Sequence, residues 1–369
     1  MTLTSDFPPS VVEARSLAVE LGQGGGGLPG EPTEPTGSPV INSVSGSFTE
    51  GAQATITADN LTAKRNGQLR FIDFKDEILD QKVTGITQDS GTPGYVAKSG
   101  GIFGGVMAEC HAIQQSLNTA AIVLEQGEQE LFFEGWAHIQ TPDFDSGGDE
   151  QIKLFRIVPG SSLGDSAQNQ NPTINFMVHT AFIVVGQPDV NPGSWYANGT
   201  FPWNEWSRWT MYLRLGDEGI ANGERYAKVG AINKWTYSGV PGGHFASPTG
   251  AVHESEWRGE PQVTCDSATT GLLQRIFMPY YTRSDQETIS RIDRLYLNDS
   301  PERVVVGDAS TWGACDPNKS FILRQVSRNN SEVVVDVDTL GPLSSGPVYL
   351  YVFNSDGLYN EAGYLWRAA

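Results

Sequence analysis

Residues 195–209 read WYANGTFPWNEWSRW and hold Trp195, Tyr196, Trp203, Trp206 and Trp209, so four of the nine tryptophans fall in one short stretch. Flat aromatic faces stack on the apolar faces of sugar rings, and neighbouring Asn or Asp side chains bind hydroxyls. Trp195, Tyr196, Trp203 and Trp206 are therefore the candidate carbohydrate-binding residues. The same residues admit a packing alternative. Trp206 and Trp209 open a strand and point inward, while Trp195 and Trp203 pin a loop, because large aromatics dominate sandwich cores.

A second constellation would suit eliminative cleavage of an acidic glycan. That chemistry needs a base and an acid near the sugar C5 and a group that neutralises the uronate carboxylate. His138 and Gln140 share one strand face by period two, as do Tyr226 and Lys228 on another strand, and Arg156 can pair with a carboxylate. These five residues are the candidates for a catalytic alternative.

Other groups carry less. His111, His179, His244 and His253 are scattered and show no ligand spacing, and no Gly-x-Ser-x-Gly elbow is present. Asp143, Asp145 and Asp149, followed by Glu150, could offer oxygens to Ca²⁺, although Ser146-Gly147-Gly148 stands where further ligands would sit. No other cofactor is expected. Cys110, Cys265 and Cys315 lie far apart, which argues against a disulfide framework or a zinc site; a Cys265–Cys315 pair stays open. A formal net charge of −19 over 369 residues repels phosphate backbones, so nucleic acid is not an expected partner. No run of eighteen apolar residues predicts a membrane span.

The elements that must position these groups are strands. From Leu69 onward, runs such as LRFIDF, ELFFEGWAHIQ, QIKLFRIV, TINFMVHTAFIVV, WTMYLRL, LLQRIFMPYYT and SRIDRLYLN are separated by turn residues, without helical spacers. Nine or more strands of this kind predict a double-sheet jelly roll. The two ends of the chain differ from this middle. Ala54, Ile56 and Ala58 alternate with polar residues near the start, as do Val333, Val335 and Val337 near the end. Neither end has enough strands to bury a core alone. The expectation is that residues 38–67 and 304–369 together form one immunoglobulin-like sandwich, with the jelly roll of 68–303 inserted.

Residues 1–37 read as an arm. Ser10 and Glu13 fit a capping box, Val11, Ala14, Leu17, Ala18 and Leu21 fall on one helical face, and a Gly/Pro linker follows. A three-turn helix on a glycine tether is not stable by itself, so these residues are expected to dock on a partner.

Particular segments bear a family likeness. PVINSVSGSFTEGAQATITADNL and GPVYLYVFNSDGLYNEAGYLW resemble the opening and closing strands of IPT/TIG immunoglobulin-like domains. WNEWSRWTMYLRLGDEGIANGERYAKV and SRIDRLYLNDSPERVVVGD resemble elements of concanavalin-like and polysaccharide-lyase-like jelly rolls. Tyr226-Ala-Lys-Val-Gly is similar to the Tyr-Phe-Lys-Ala-Gly strand of alginate-lyase-like enzymes, whereas the Gln-Ile-His of that family is replaced by His138-Ile139-Gln140. The composite resembles proteins of marine bacteria and tailed phages.

The start at Met1 lacks a basic region followed by an apolar one, so no secretory signal is expected. A glycan-type fold without export fits a virion released by lysis. The expectation is an all-β surface protein of a tailed-phage virion (capsid decoration, head fibre or tail appendage), attached to other virion proteins through residues 1–37 and oligomeric within the assembly. The alternatives are a polysaccharide lyase and a non-catalytic carbohydrate-binding module of a bacterial surface protein.

Overall fold

The computed structural model describes residues 37–65, 67–88, 94–112, 120–140, 151–159, 174–179, 182–186, 195–197, 203–215, 224–229, 234–237, 252–253, 257–258, 272–279, 281–282 and 287–368. For 151–153, 159, 281–282 and the strands within 174–197 and 224–258, the description is of backbone alone. Among these residues there are strands and three short 3-10 turns but no α-helix. The expected all-β class is what the structure has.

Four antiparallel sheets stack in order, with a core between each pair. The outermost joins Val40–Ser45, Ala52–Asp59, Glu332–Val337 and Arg324–Arg328. Strands from both ends of the chain pair directly here, with Ile56 opposite Val333 and Ala54 opposite Val335. The second sheet joins Phe321–Ile322, Arg303–Gly307, Val348–Phe353 and Tyr364–Arg367. Ala54, Ile56, Val333, Val335, Val304, Val348 and Leu350 fill one core between these two sheets. Ile56 and Leu350 both lie in it, fully buried. Asp356-Gly357 makes the turn after Phe353, with Gly357 at φ +76°, a conformation that favours glycine.

Val348–Phe353 is apolar on both faces, and the second face has its own partner. Tyr351 and Phe353, with Val305, Ile322 and Trp312, pack on Phe132, Tyr212 and Tyr296 of an eight-stranded sheet. That sheet contains Val106–Ala112, Glu130–Gln140, Trp206–Arg214, Glu224–Val229 and Thr288–Asn298. Its other face supplies Leu131, Phe133, Ile139, Trp209, Met211 and Leu295 to the largest core. Across that core lies a ten-stranded sheet that includes Ala120–Glu128, Gln151–Pro159, Ile174–His179, Phe182–Gly186, Trp195–Ala197 and Leu273–Phe277.

The small sandwich is fastened to the large one by buried charge as well as apolar area. Arg294, at a bulge in Thr288–Asn298, sits 4.5 Å from the Phe103 ring centre, 5.2 Å from that of Phe71 and 5.3 Å from that of Phe321. It also pairs with Asp338. Arg303 lies 3.5 Å from the Phe353 ring centre and 4.6 Å from that of Phe132. Weakly hydrated guanidinium groups suit such aromatic surroundings.

Candidate functional site

Along Glu130–Gln140, side chains alternate between the largest core and the sheet's outer face. Phe132, Glu134, Trp136, His138 and Gln140 take the outer face. On the neighbouring strand Tyr212, Thr210, Arg208 and Trp206 stand opposite the first four in turn. Most of this face is sealed by the small sandwich. Trp136 meets Phe103 edge-on at 5.7 Å, and Arg208 Nη1 donates to the Ser320 hydroxyl at 2.8 Å. Phe132, Trp136, Arg208 and Tyr296 are all buried.

Along Glu130–Gln140, the end of this face that carries His138 and Gln140 reaches solvent. There Arg291 Nη1 donates to Gln140 Oε1 at 2.8 Å and lies 3.3 Å from His138 Nδ1. Arg291 Nε donates to Glu109 Oε2 at 2.7 Å. Glu109 Oε1 is 3.0 Å from His111 Nε2, and Glu287 Oε1 is 2.9 Å from His111 Nδ1. Burial, and then the charge of Arg291, hold the His138 pKa below its usual value. For His111, burial works downward, but the hydrogen bonds to Glu287 and Glu109 outweigh it and raise the pKa. Burial would likewise raise Glu109, and hydrogen bonds from His111 and Arg291 overcome it and lower the pKa. The result is a closed chain of opposite charges that satisfies its own members.

The catalytic alternative does not assemble among the described residues. Lys228 is registered with Thr210, which is registered with Glu134; Tyr226 is registered with Tyr212, and Tyr212 with Phe132. His138 is opposite Trp206, four positions farther along the same strand than Glu134. At about 3.4 Å per residue that offset is roughly 14 Å along the sheet. Arg156 is on the other large sheet altogether, opposite Phe277 and Asn175. Period two says nothing of height along a strand or of which sheet a strand joins.

The aromatic cluster also divides. Trp206 is half-buried, 5.6 Å from the His138 ring, and packs against the small-sandwich core. Trp203 packs against the largest core and bridges to Ile139. Trp209 lies within that core. Trp195 is opposite Val185 and Tyr196 opposite Val184 in the ten-stranded sheet, so these two neighbours occupy opposite faces of it.

Register alone places Tyr196 on one of those faces. Its row continues through Val184 and Met177 to Lys153 and Tyr281. The adjacent row places Asn175 opposite Arg156, and Arg156 opposite Phe277. This face points away from the largest core: Val158, Phe277 and Ala121 form a separate small cluster on it. Arg275, two positions from Phe277, shares the face and lies 5.3 Å from that ring's centre. Arg156 and Arg275 are 1% and 0% exposed. Sequence reasoning missed Arg275, Arg291 and Glu109. The signal for Arg275 was an arginine inside the apolar run LLQRIFM, where a strand buried on both faces should carry no charge without a reason.

The docking residues Val11, Ala14, Leu17, Ala18 and Leu21, the Ca²⁺ candidates Asp143, Asp145 and Asp149, and Cys265 lie outside the described residues. Among the described residues no group of three His, Cys, Asp or Glu side chains is placed to hold a metal ion. Cys110 and Cys315 are thiols, and burial pushes that of Cys315 up.

No family model and no curated protein matches the chain. Among solved structures, the alginate lyase Aly36B matches at 13% identity and a TM-score of 0.42, over 62% of this chain and 95% of that one. The marine PL-14 alginate lyase from Aplysia kurodai matches at 9% identity and 0.37, over 63% and 99%. Lectin II from Ulex europaeus matches at 8% identity and 0.36, over 63% and 98%.

Proposed function

We propose that the chain is a non-catalytic saccharide-binding protein. In this reading the large sandwich binds a glycan on the outer face of its ten-stranded sheet, and the small sandwich is the mount that holds it. One observation carries the choice of face. Among the described residues, the small sandwich covers most of the outer face of the eight-stranded sheet and the His138 end of that face is a self-satisfied charge network, whereas no described sheet stacks on the side of the ten-stranded sheet away from the largest core.

A glycan array probed with the full chain, followed by titration calorimetry on the hits, tests the reading. Binding weakened by Tyr196→Ala but not by Gln140→Ala supports it. No saccharide binding at all overturns it, and ultraviolet-absorbing unsaturated products from alginate or pectin would replace it with the lyase reading. The phage-virion setting rests on the sequence alone. Deleting residues 1–37 and finding particle association unchanged would remove it.

A further inference from the structure

Residues 100–105 form a tongue between the strands Val96–Ser99 and Val106–Ala112 of the large sandwich. Gly100 and Gly104, at φ +100° and +82°, make the turns at its two ends. Phe103, at its tip, enters the small sandwich. The ring lies 5.3 Å from that of Phe321 and rests on Gly341, where a Cβ would come within 2.7 Å of it. Thr339 Oγ1 donates to the Phe103 carbonyl at 3.3 Å. Beneath the tongue is Asp293. Its Oδ2 accepts from the Phe103 N–H at 3.4 Å, and a Cβ at Gly101 would sit 2.4 Å from the same oxygen.

The cations around Asp293 are committed elsewhere. Arg294 follows it in a bulge, at φ +50°, and pairs with Asp338. Arg291, two residues back on the same face, is held by Glu109, and Arg208, beyond Trp136, is bound to Ser320. Across the adjoining cavity Asp73 and Glu50 add negative charge, and Lys75 lies 3.4 Å from Asp73. That cavity, of about 160 Å³, reaches solvent at Glu50, Lys75, Gly104 and Gly105, all exposed. One water needs only about 10–15 Å³ of such space, so there is room to hydrate a charge once the tongue shifts.

We infer that Asp293 and the tongue form a proton-controlled latch between the sandwiches, closed while Asp293 holds its proton and loosened when it ionises. Burial is the main cause that raises the Asp293 pKa from 3.8 to about 7. Lifting the tongue rehydrates the carboxyl and returns that pKa toward its ordinary value. Opening therefore grows about tenfold per pH unit between those limits, about a thousandfold in all, and levels off above about pH 7.

Hydrogen exchange of the full chain by mass spectrometry, corrected for intrinsic rates, tests this from pH 5 to pH 8. The amides of Gly100, Gly101, Phe103 and Gly104 all donate hydrogen bonds and report the closed state. Protection of 100–106 should fall with pH and then level off, and Asp293→Asn should hold it constant. A local opening exposes little surface, so the tongue should exchange faster than 348–353 and respond little to about 1 M urea. Protection of the tongue that is flat with pH overturns the latch, as does the same fall in Asp293→Asn. Equal protection and equal urea response of the tongue and 348–353 also overturn it, since the carboxyl would then act only through global unfolding. The pH and urea series on the unaltered protein decides the matter even should Asp293→Asn not fold.

Discussion

Replacing Asp293 by asparagine should stabilise the protein, and by an amount that grows with pH. Asp293 stands opposite Trp136 where the two sandwiches meet, and it is 2% exposed. It lines a cavity of about 160 Å³ together with Glu50, Asp73, Lys75, Phe103, Arg294 and Asp338. Burial raises its pKa from 3.8 to about 7; the Phe103 N–H and Arg294 pull it back in part, while Asp73 pushes it further up. A carboxyl whose folded pKa is raised contributes stability that is complete below its unfolded pKa and is lost as pH climbs through the folded one. Each pH unit between those two values is worth about 1.4 kcal/mol, so by about pH 8 the loss is on the order of 4 kcal/mol. Asparagine mimics the protonated form and keeps an oxygen for the Phe103 N–H, so Asp293→Asn should be near neutral at about pH 4 and gain most of that amount at about pH 8. Urea unfolding of both proteins across this range, followed by tryptophan fluorescence, measures the difference. A gap that stays constant with pH, or an asparagine variant less stable throughout, would refute the assignment of a buried, high-pKa carboxyl.

Other outcomes follow from the same contacts. Arg294→Met leaves Asp338 buried without its partner and should cost about 3–5 kcal/mol, with part regained in the double variant carrying Asp338→Asn; thermal unfolding of the set reads both. Phe132→Ala removes a ring from the core between the sandwiches and should cost about 3–5 kcal/mol, splitting one calorimetric transition into two. Glu287→Gln should lower the His111 pKa seen by NMR titration, and the stability that His111 contributes, present below about pH 6.5 and lost as pH rises through its raised folded value, should then be lost at lower pH. The net charge of −19 repels an anionic glycan at long range, so affinity for an acidic saccharide should hold or rise from low to physiological salt, where the Debye length shrinks to about 8 Å; a steep fall would mean an exposed basic patch instead.

Much of the architecture was legible in strand alternation. The valines at 333, 335 and 337 and the Ala54–Ala58 pattern marked half-buried strands that needed each other, and they do pair. Runs such as GPVYLYVF and ELFFEGWA carried large apolar residues on both sides, which in a stack of four sheets is where two cores meet. The site was less legible, for a physical reason. Period two tells which residues share a strand face, but register against distant strands fixes height and sheet. Hence His138 and Gln140 do share a face, yet Lys228 falls short of their level and Arg156 belongs to the far sheet. The tryptophan-rich stretch divides because its ends pair into different sheets, Trp195 and Tyr196 by register into the ten-stranded one and Trp206 and Trp209 into the eight-stranded one.

The pairing of the chain's two ends has a consequence for how the molecule is made. Gln53 donates to Asp336 across 283 positions, so at about 5–20 residues per second the first hairpin leaves the ribosome roughly 15–60 s before its partner strand exists. Its apolar face, Ile56 and Ala58, must wait uncovered. What shortens the search is the seam where the large sandwich begins and ends. Leu297 is opposite Arg70, and the Lys64 N–H reaches Glu302 at 3.1 Å, so once that sandwich has folded the two stumps emerge side by side. A nascent chain stalled before residue 332 should therefore expose the early hairpin to chaperones.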